Sequence, residues 1–120
     1  MAQIETYKQL IVWQKAMELV IEIYKLTDQF PKSEIYWLSS QMRRAAISIP
    51  SNIAEGNRRG TRKEYCHFLF IAFGSGAELE TQIEIAKRLP QTKNLDYEKI
   101  SGLLNEVMRI INTIIQKLDI

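Results

Sequence analysis

One cysteine and one histidine in 120 residues leave little material for crosslinks or metal centres. A single thiol makes no intramolecular disulfide and no cysteine-based zinc site, and Cys66 reads as a reduced thiol in a cytoplasmic protein. Long apolar runs are missing too. A membrane span needs roughly 20 residues, and stretches such as Phe68 to Phe73 fall well short. The opening residues MAQIETYKQ lack the basic start and apolar core of a signal peptide. There is no internal repeat and no low-complexity tract. The chain has only three prolines, and each falls where a helix is expected to stop or bend. What remains is ordinary for a globular protein: 46% hydrophobic and 25% charged residues. The expectation is one soluble, cytoplasmic domain over residues 1–120, large enough for a single core.

The apolar residues recur at helical spacing in four segments, at about residues 7–29, 34–58, 62–89 and 97–118. Thr6 and Gln9 fit a capping box at the start of the first, which carries Val12, Ala16, Leu19, Ile23, Leu26 and Phe30 and stops before Pro31. Ser33 is placed to cap the second, whose stripe is Leu38, Met42, Ala45, Ile49 and Ile53. Inside it Pro50 removes one backbone N–H and frees the Ala46 carbonyl, so either a kink is expected there or Ser48 caps a short following helix. Thr61 and Glu64 form another capping box, opening a third helix that Pro90 ends. Within that helix Gly74, Ser75, Gly76 and Ala77 form a small-residue patch suited to close approach of a neighbouring helix. Asp96 is placed to cap the fourth, with Leu95 and Ile100 as a hydrophobic staple. Its apolar band, from Ile100 to Leu118, is wider than one bundle seam requires, which points to burial against another subunit. Short connections make the helices antiparallel neighbours. The fold class is therefore all-α, an antiparallel up-and-down four-helix bundle.

Charge is concentrated in one place. Residues 43–63 hold six basic side chains and one acidic one, whereas the rest of the chain holds ten basic and thirteen acidic. Arg58, Arg59, Arg62 and Lys63 surround the turn between the second and third helices, with Arg43 and Arg44 roughly 20 Å away along the helix. These six are the candidate nucleic-acid-binding residues, since a cluster of this kind can hold phosphates. The competing reading is a solvated turn in which Glu55 pairs with Arg58 or Arg59 at helical spacing, and Arg43 and Arg44 form a separate patch or a salt bridge across a subunit boundary.

Beside the apolar stripes runs a polar one: Gln41, Ser48, Asn52 and Glu55 on the second helix, with Ser75, Glu78 and Gln82 on the third. We read these seven as an interhelical hydrogen-bond layer that fixes register, in preference to a ligand pocket, because no positioned nucleophile or base accompanies them. Glu64 and His67 have the Glu-x-x-His spacing of di-iron bundles, but that site needs the motif twice and His67 is the sole histidine. Cys66 and His67 project roughly 100° apart, a poor nucleophilic pair. No catalytic residue, metal or cofactor is expected. The aromatics Trp13, Tyr24, Trp37, Tyr65 and Phe68 fit core or interface packing.

Specific strings carry a resemblance. Val12-Trp13-Gln14-Lys15-Ala16, then Phe30-Pro31 with Glu34, Leu38, Gln41 and Arg44, and above all Ser48-Ile49-Pro50-Ser51-Asn52-Ile53-Ala54-Glu55-Gly56, resemble the four-helix-bundle family associated with the 23S rRNA intervening sequence. Ala72, Gly74-Ser75 and Glu78-Leu79 extend the likeness, which covers Leu10 to Leu89. The resemblance implies a left-handed antiparallel bundle that assembles into a ring, typically a homopentamer, with no known enzymatic activity. The rRNA in the family's name records where some of the genes lie. A more distant likeness is the accessory variability protein of diversity-generating retroelements, which implies a basic pentameric barrel that contacts a reverse transcriptase and nucleic acid. Phe73 and Gly76 depart from that pattern. The expected function is a non-enzymatic homo-oligomer that binds RNA, DNA or a nucleic-acid-processing protein through its basic surface, with no membrane contact. The alternative is a scaffold that binds only protein.

Overall fold

A computed structural model describes residues 6–118, with the side chains of residues 32–34 left aside. Four helices carry nearly all of it: α1 (Ile11–Thr27), α2 (Lys32–Arg58), α3 (Arg62–Arg88) and α4 (Glu98–Leu118). The described residues contain no strand. Each helix packs against two others, α1 on α2 and α4, and α3 on α2 and α4, so that α1 and α3 stand at opposite corners of a square. The long axis measures 51 Å, close to the roughly 40 Å of a 27-residue helix plus its turns.

The core follows the apolar periodicity. Leu19 and Ile23 of α1, Leu38, Met42, Ile49 and Ile53 of α2, Leu69 and Leu79 of α3, and Val107 and Ile111 of α4 are all fully buried. Each contributes about 1.5–3 kcal/mol by leaving water. The α2/α3 seam is close because its residues are small. A Cβ on Gly56 would lie 2.6 Å from the Phe68 Cβ and 3.3 Å from the Tyr65 carbonyl oxygen. Farther along, the Ser48 and Ser75 hydroxyls meet at 2.8 Å. Gly76 gives the same clearance to Met108 of α4. Gly74 and Ala77 instead face solvent, so the small-residue patch is divided among three directions by the 100° helical step.

The helix ends differ from the expected ones in instructive ways. The Thr6 hydroxyl accepts from the Lys8 N–H at 3.3 Å, but this caps only a 3-10 turn, Tyr7–Gln9. Leu10 is extended, and α1 starts at Ile11. The turn is held to the helix by the Gln14 side chain, which donates to the Lys8 carbonyl at 3.0 Å, and by the Tyr7 ring set edge-on to Trp13. α2 starts at Lys32, directly after Pro31, so Ser33 falls within its first turn, and the Ser33 side chain is outside the described residues. The residue of α2 with non-helical angles is Ile35, not Pro50. Ser51 and Asn52 donate to the carbonyls of Ile47 and Ser48, the two that follow Ala46, at 2.8 Å each. Gly60, at φ +88°, supplies the left-handed residue of the α2–α3 turn, and the Thr61 hydroxyl caps α3 by accepting from the Glu64 N–H at 3.1 Å. The Asp96 carboxylate accepts from the Glu98 N–H at 2.9 Å, capping α4.

The wide apolar band of α4 is absorbed within the bundle. Ile110, Ile114, Ile115 and Leu118 are half-buried against the core, and α4 exposes no large hydrophobic residue. The exposed ones sit elsewhere: Ile11, Met17, Ile21 and Tyr24 on α1, Tyr36, Trp37 and Ile47 on α2, and Phe70, Ile71 and Ile85 on α3. The sequence expectation placed the surface for another subunit on α4, where the apolar residues left over from the core are half-covered and not fully exposed.

Candidate nucleic-acid interface

The four basic residues of the α2–α3 turn have four different settings. Arg59 is neutralised on both sides, by Glu55 at 2.9 Å and Glu64 at 3.5 Å, and lies 5.0 Å from the centre of the Phe68 ring. The hydrogen bond to Glu55 holds its guanidinium above the ordinary value, so Arg59 stays charged but is not open to a phosphate. Arg62 donates to the Leu118 carbonyl at the C-terminal end of α4, where a cation meets the negative end of the helix dipole. The Arg58 guanidinium lies 5.4 Å from the centre of the Tyr7 ring and has no acidic partner among the described residues. Lys63 is exposed and likewise unpaired among them. The turn therefore offers Arg58 and Lys63 freely and Arg62 in part. The competing reading of an ion-paired turn is realised at Arg59, whose partner is Glu55.

Arg43 and Arg44 are adjacent but unlike. Arg43 ties α2 to the end of α1: its Nε donates to the Thr27 hydroxyl at 2.8 Å, its Nη2 pairs with Asp28 at 2.9 Å, and its plane lies 4.3 Å from the Tyr24 ring centre. Its salt bridge is thus made inside the chain. Arg44 is exposed, with no ion pair among the described residues.

The seven polar residues do not form one layer. Asn52 donates to the Ser48 carbonyl and hydroxyl at 2.8 and 3.0 Å, and Ser48 meets Ser75, which makes a three-residue bridge between α2 and α3. Glu55 turns to Arg59, and Gln41 is exposed. Gln82 is buried and donates to Glu78 at 3.3 Å along α3, while its Oε1 has no partner among the described residues. Cys66 is buried and His67 is exposed, edge-on to Phe68. No group of three His, Cys, Asp or Glu residues among those described is placed to hold a metal.

With this arrangement in view, comparison with protein families matches residues 8–113 to the family described as 23S rRNA-intervening sequence protein. The chain belongs to that family. The match takes in all of α1, α2 and α3 and most of α4, so the likeness read from Leu10 to Leu89 extends into the last helix. A comparison with curated proteins finds no match. No helix among the described residues of this family member is long and apolar enough to cross a membrane.

Two surface features were not among the sequence candidates. A groove of about 340 Å³ between α1 and α2 is lined by Tyr7, Trp13, Met17, Ile47 and Pro50. A second depression, of about 440 Å³, brings Tyr24 of α1 to Tyr36, Ser39, Ser40, Arg43 and Arg44 of α2. The sequence signal for the second was the spacing Tyr36, Ser40, Arg44, one stripe at four-residue intervals.

Proposed function

We propose that the chain is a non-enzymatic protein that self-assembles through the outer faces of α1 and α3 and binds RNA or DNA beside the α2–α3 turn. The observation that supports this reading is that exposed apolar residues lie on the diagonal helices α1 and α3, in addition to Tyr36, Trp37 and Ile47 on α2. Met17, Ile21 and Tyr24 fall on one outward stripe of α1. Phe70 and Ile85 lie about 60° apart on the outer side of α3, near Gly74 and Ala77, and Ile71 lies about 40° farther round than Ile85. Two different apolar faces on opposite corners favour head-to-tail contact, the interface type that closes into rings. A homopentamer is one such ring, and it would repeat Arg58, Arg62 and Lys63 around its axis.

Complementation tests the assembly. Ile21→Glu disables the α1 face and Phe70→Glu the α3 face, so each variant alone sediments as a monomer with unchanged helical circular dichroism. Mixed together, the two form a dimer through their intact faces and no ring. Monomers in the mixture, or a wild type that sediments at 14 kDa at micromolar concentration, would sink the assembly reading. For nucleic acid, fluorescence anisotropy with labelled single-stranded RNA, single-stranded DNA and duplex DNA is titrated across salt. Binding should weaken with salt, with a slope of about 0.7 per single-strand phosphate contacted, and Arg58→Glu with Lys63→Glu should abolish it.

The protein-only scaffold has its own support, since Arg59 and Arg43 are already matched to Glu55, Glu64 and Asp28. Absence of binding at low salt would leave that reading in place.

A further inference from the structure

The depression between Tyr24 and Arg44 carries open donors at Arg43 and Arg44, although Arg43 also ties α2 to α1 and Tyr24 also belongs to the proposed α1 face. Its two arginines are prepared differently. Arg43 is held rigid by Thr27, Asp28 and the Tyr24 carbonyl, which engage its Nε and Nη2. That leaves the two N–H groups of Nη1 with no acceptor among the described residues. Asp28 offsets its charge, so Arg44 contributes one uncompensated positive charge beside an oriented pair of donors. Along the same stripe, the hydroxyls of Ser39 and Ser40 have no partner among the described residues. At its far end the Tyr36 ring is 70% exposed. From Tyr36 to Arg44 is two helical turns, about 12 Å.

We propose that this pocket takes one nucleotide unit, with its phosphate on Arg44, Ser40 and the free Nη1 of Arg43, and its base against the Tyr36 ring. Guanidinium donors suit phosphate oxygens, and an exposed aromatic face suits a base that is not stacked in a duplex. The volume of about 440 Å³ lies in the range of small-ligand sites, about 300–1,000 Å³. The inference deepens the nucleic-acid reading, on which it rests, by naming the ligand and a second contact point along α2 from the turn. A free nucleoside monophosphate and a nucleotide within a single strand share this chemistry.

The test is calorimetric titration of the full chain with AMP, UMP, adenosine, inorganic phosphate, a five-nucleotide RNA and a phosphotyrosine peptide. Saturable binding of a mononucleotide or of the RNA is expected, weakened tenfold or more by Arg44→Ala and by Tyr36→Ala. Both positions are exposed, and an unchanged circular-dichroism melt confirms folding. Adenosine and phosphate alone should each bind at least tenfold more weakly than AMP. Tighter binding of the RNA than of either mononucleotide, with the same loss in both variants, identifies a strand as the source; the reverse order identifies a free nucleotide. Binding that neither variant changes, equal affinity for phosphate and AMP, or preference for the phosphopeptide would overturn the proposal. RNA binding lost in Arg58→Glu with Lys63→Glu but intact in Arg44→Ala refutes the pocket alone. No binding of RNA or mononucleotide by the wild type refutes the pocket, and together with no DNA binding in the anisotropy titration it refutes both readings.

Discussion

Adding one methyl group at Gly56 should destabilise the bundle even though alanine is the better helix former. By intrinsic propensity Gly→Ala inside a helix gains about 1 kcal/mol. At Gly56 the new Cβ would sit 2.6 Å from the Cβ of Phe68 and 3.3 Å from the carbonyl oxygen of Tyr65. Both atoms are fixed to the α3 backbone, so relief requires the helices to separate. Overpacking of this kind costs about 1–3 kcal/mol, and with contacts this rigid we expect it to outweigh the propensity gain and leave a net loss of about 1–2 kcal/mol. For a chain of this size that corresponds to a fall in Tm of about 4–8 °C. Gly74→Ala supplies the control. Nothing lies within 4 Å of its Cβ, so the propensity gain stands alone and Tm should rise by about 4 °C. Gly76→Ala should lie between the two, because the atoms it meets belong to the flexible end of Met108. Thermal melts by circular dichroism at low protein concentration measure all three. A Gly56→Ala melt at or above the wild-type value would show that α2 and α3 are not this close.

Other expectations follow from single contacts. Arg43→Ala removes the Thr27 bond, the Asp28 pair and the Tyr24 stack, and should cost about 1–2 kcal/mol in urea denaturation. Arg44→Ala should stay within about 0.5 kcal/mol of wild type; equal effects would refute the clasp. Pro50→Ala restores a donor to the Ala46 carbonyl in a helix whose angles are already helical there, so it should raise stability by about 1–3 kcal/mol. A loss would mean that the packing of the buried Pro50 ring outweighs its missing N–H. Burial raises the phenol pKa of both Tyr65 and Tyr97. Their contribution is therefore fully present below the unfolded value of about 10 and is lost as pH rises through the raised folded values. Melts from pH 8 to 11 should fall, and Tyr65→Phe and Tyr97→Phe should each lessen the slope.

Much of the architecture was legible in the residues because helical periodicity and capping chemistry are local. Thr61, Asp96 and the stripe from Leu38 to Ile53 mark their elements without reference to the rest of the chain. The start of α1 was misread for a tertiary reason: Tyr7 packs on Trp13 and under Arg58, so the Thr6 cap ends in a 3-10 turn. The exposure of α4 was not legible, because the width of an apolar band does not say how much of it the other helices cover. Individual charges were harder still. The sequence shows that Arg43, Arg44, Arg58 and Arg59 cluster, but which are matched depends on Asp28 and Glu64, on other elements. Only the folded chain separates the occupied arginines from the open ones.

The polar outer side of α4 has a practical consequence when combined with the burial of Cys66. Asn105 and Asn112 are exposed on the helix that presents no large apolar residue, while the native thiol is shielded in α3. A cysteine placed by Asn105→Cys would react with a maleimide dye far faster than Cys66 does. It would also stand clear of both apolar faces and of the Tyr36–Arg44 pocket. Counting bleaching steps from single labelled particles would then test the proposed assembly and count its copies directly, on a chain whose proposed contact faces carry no substitution.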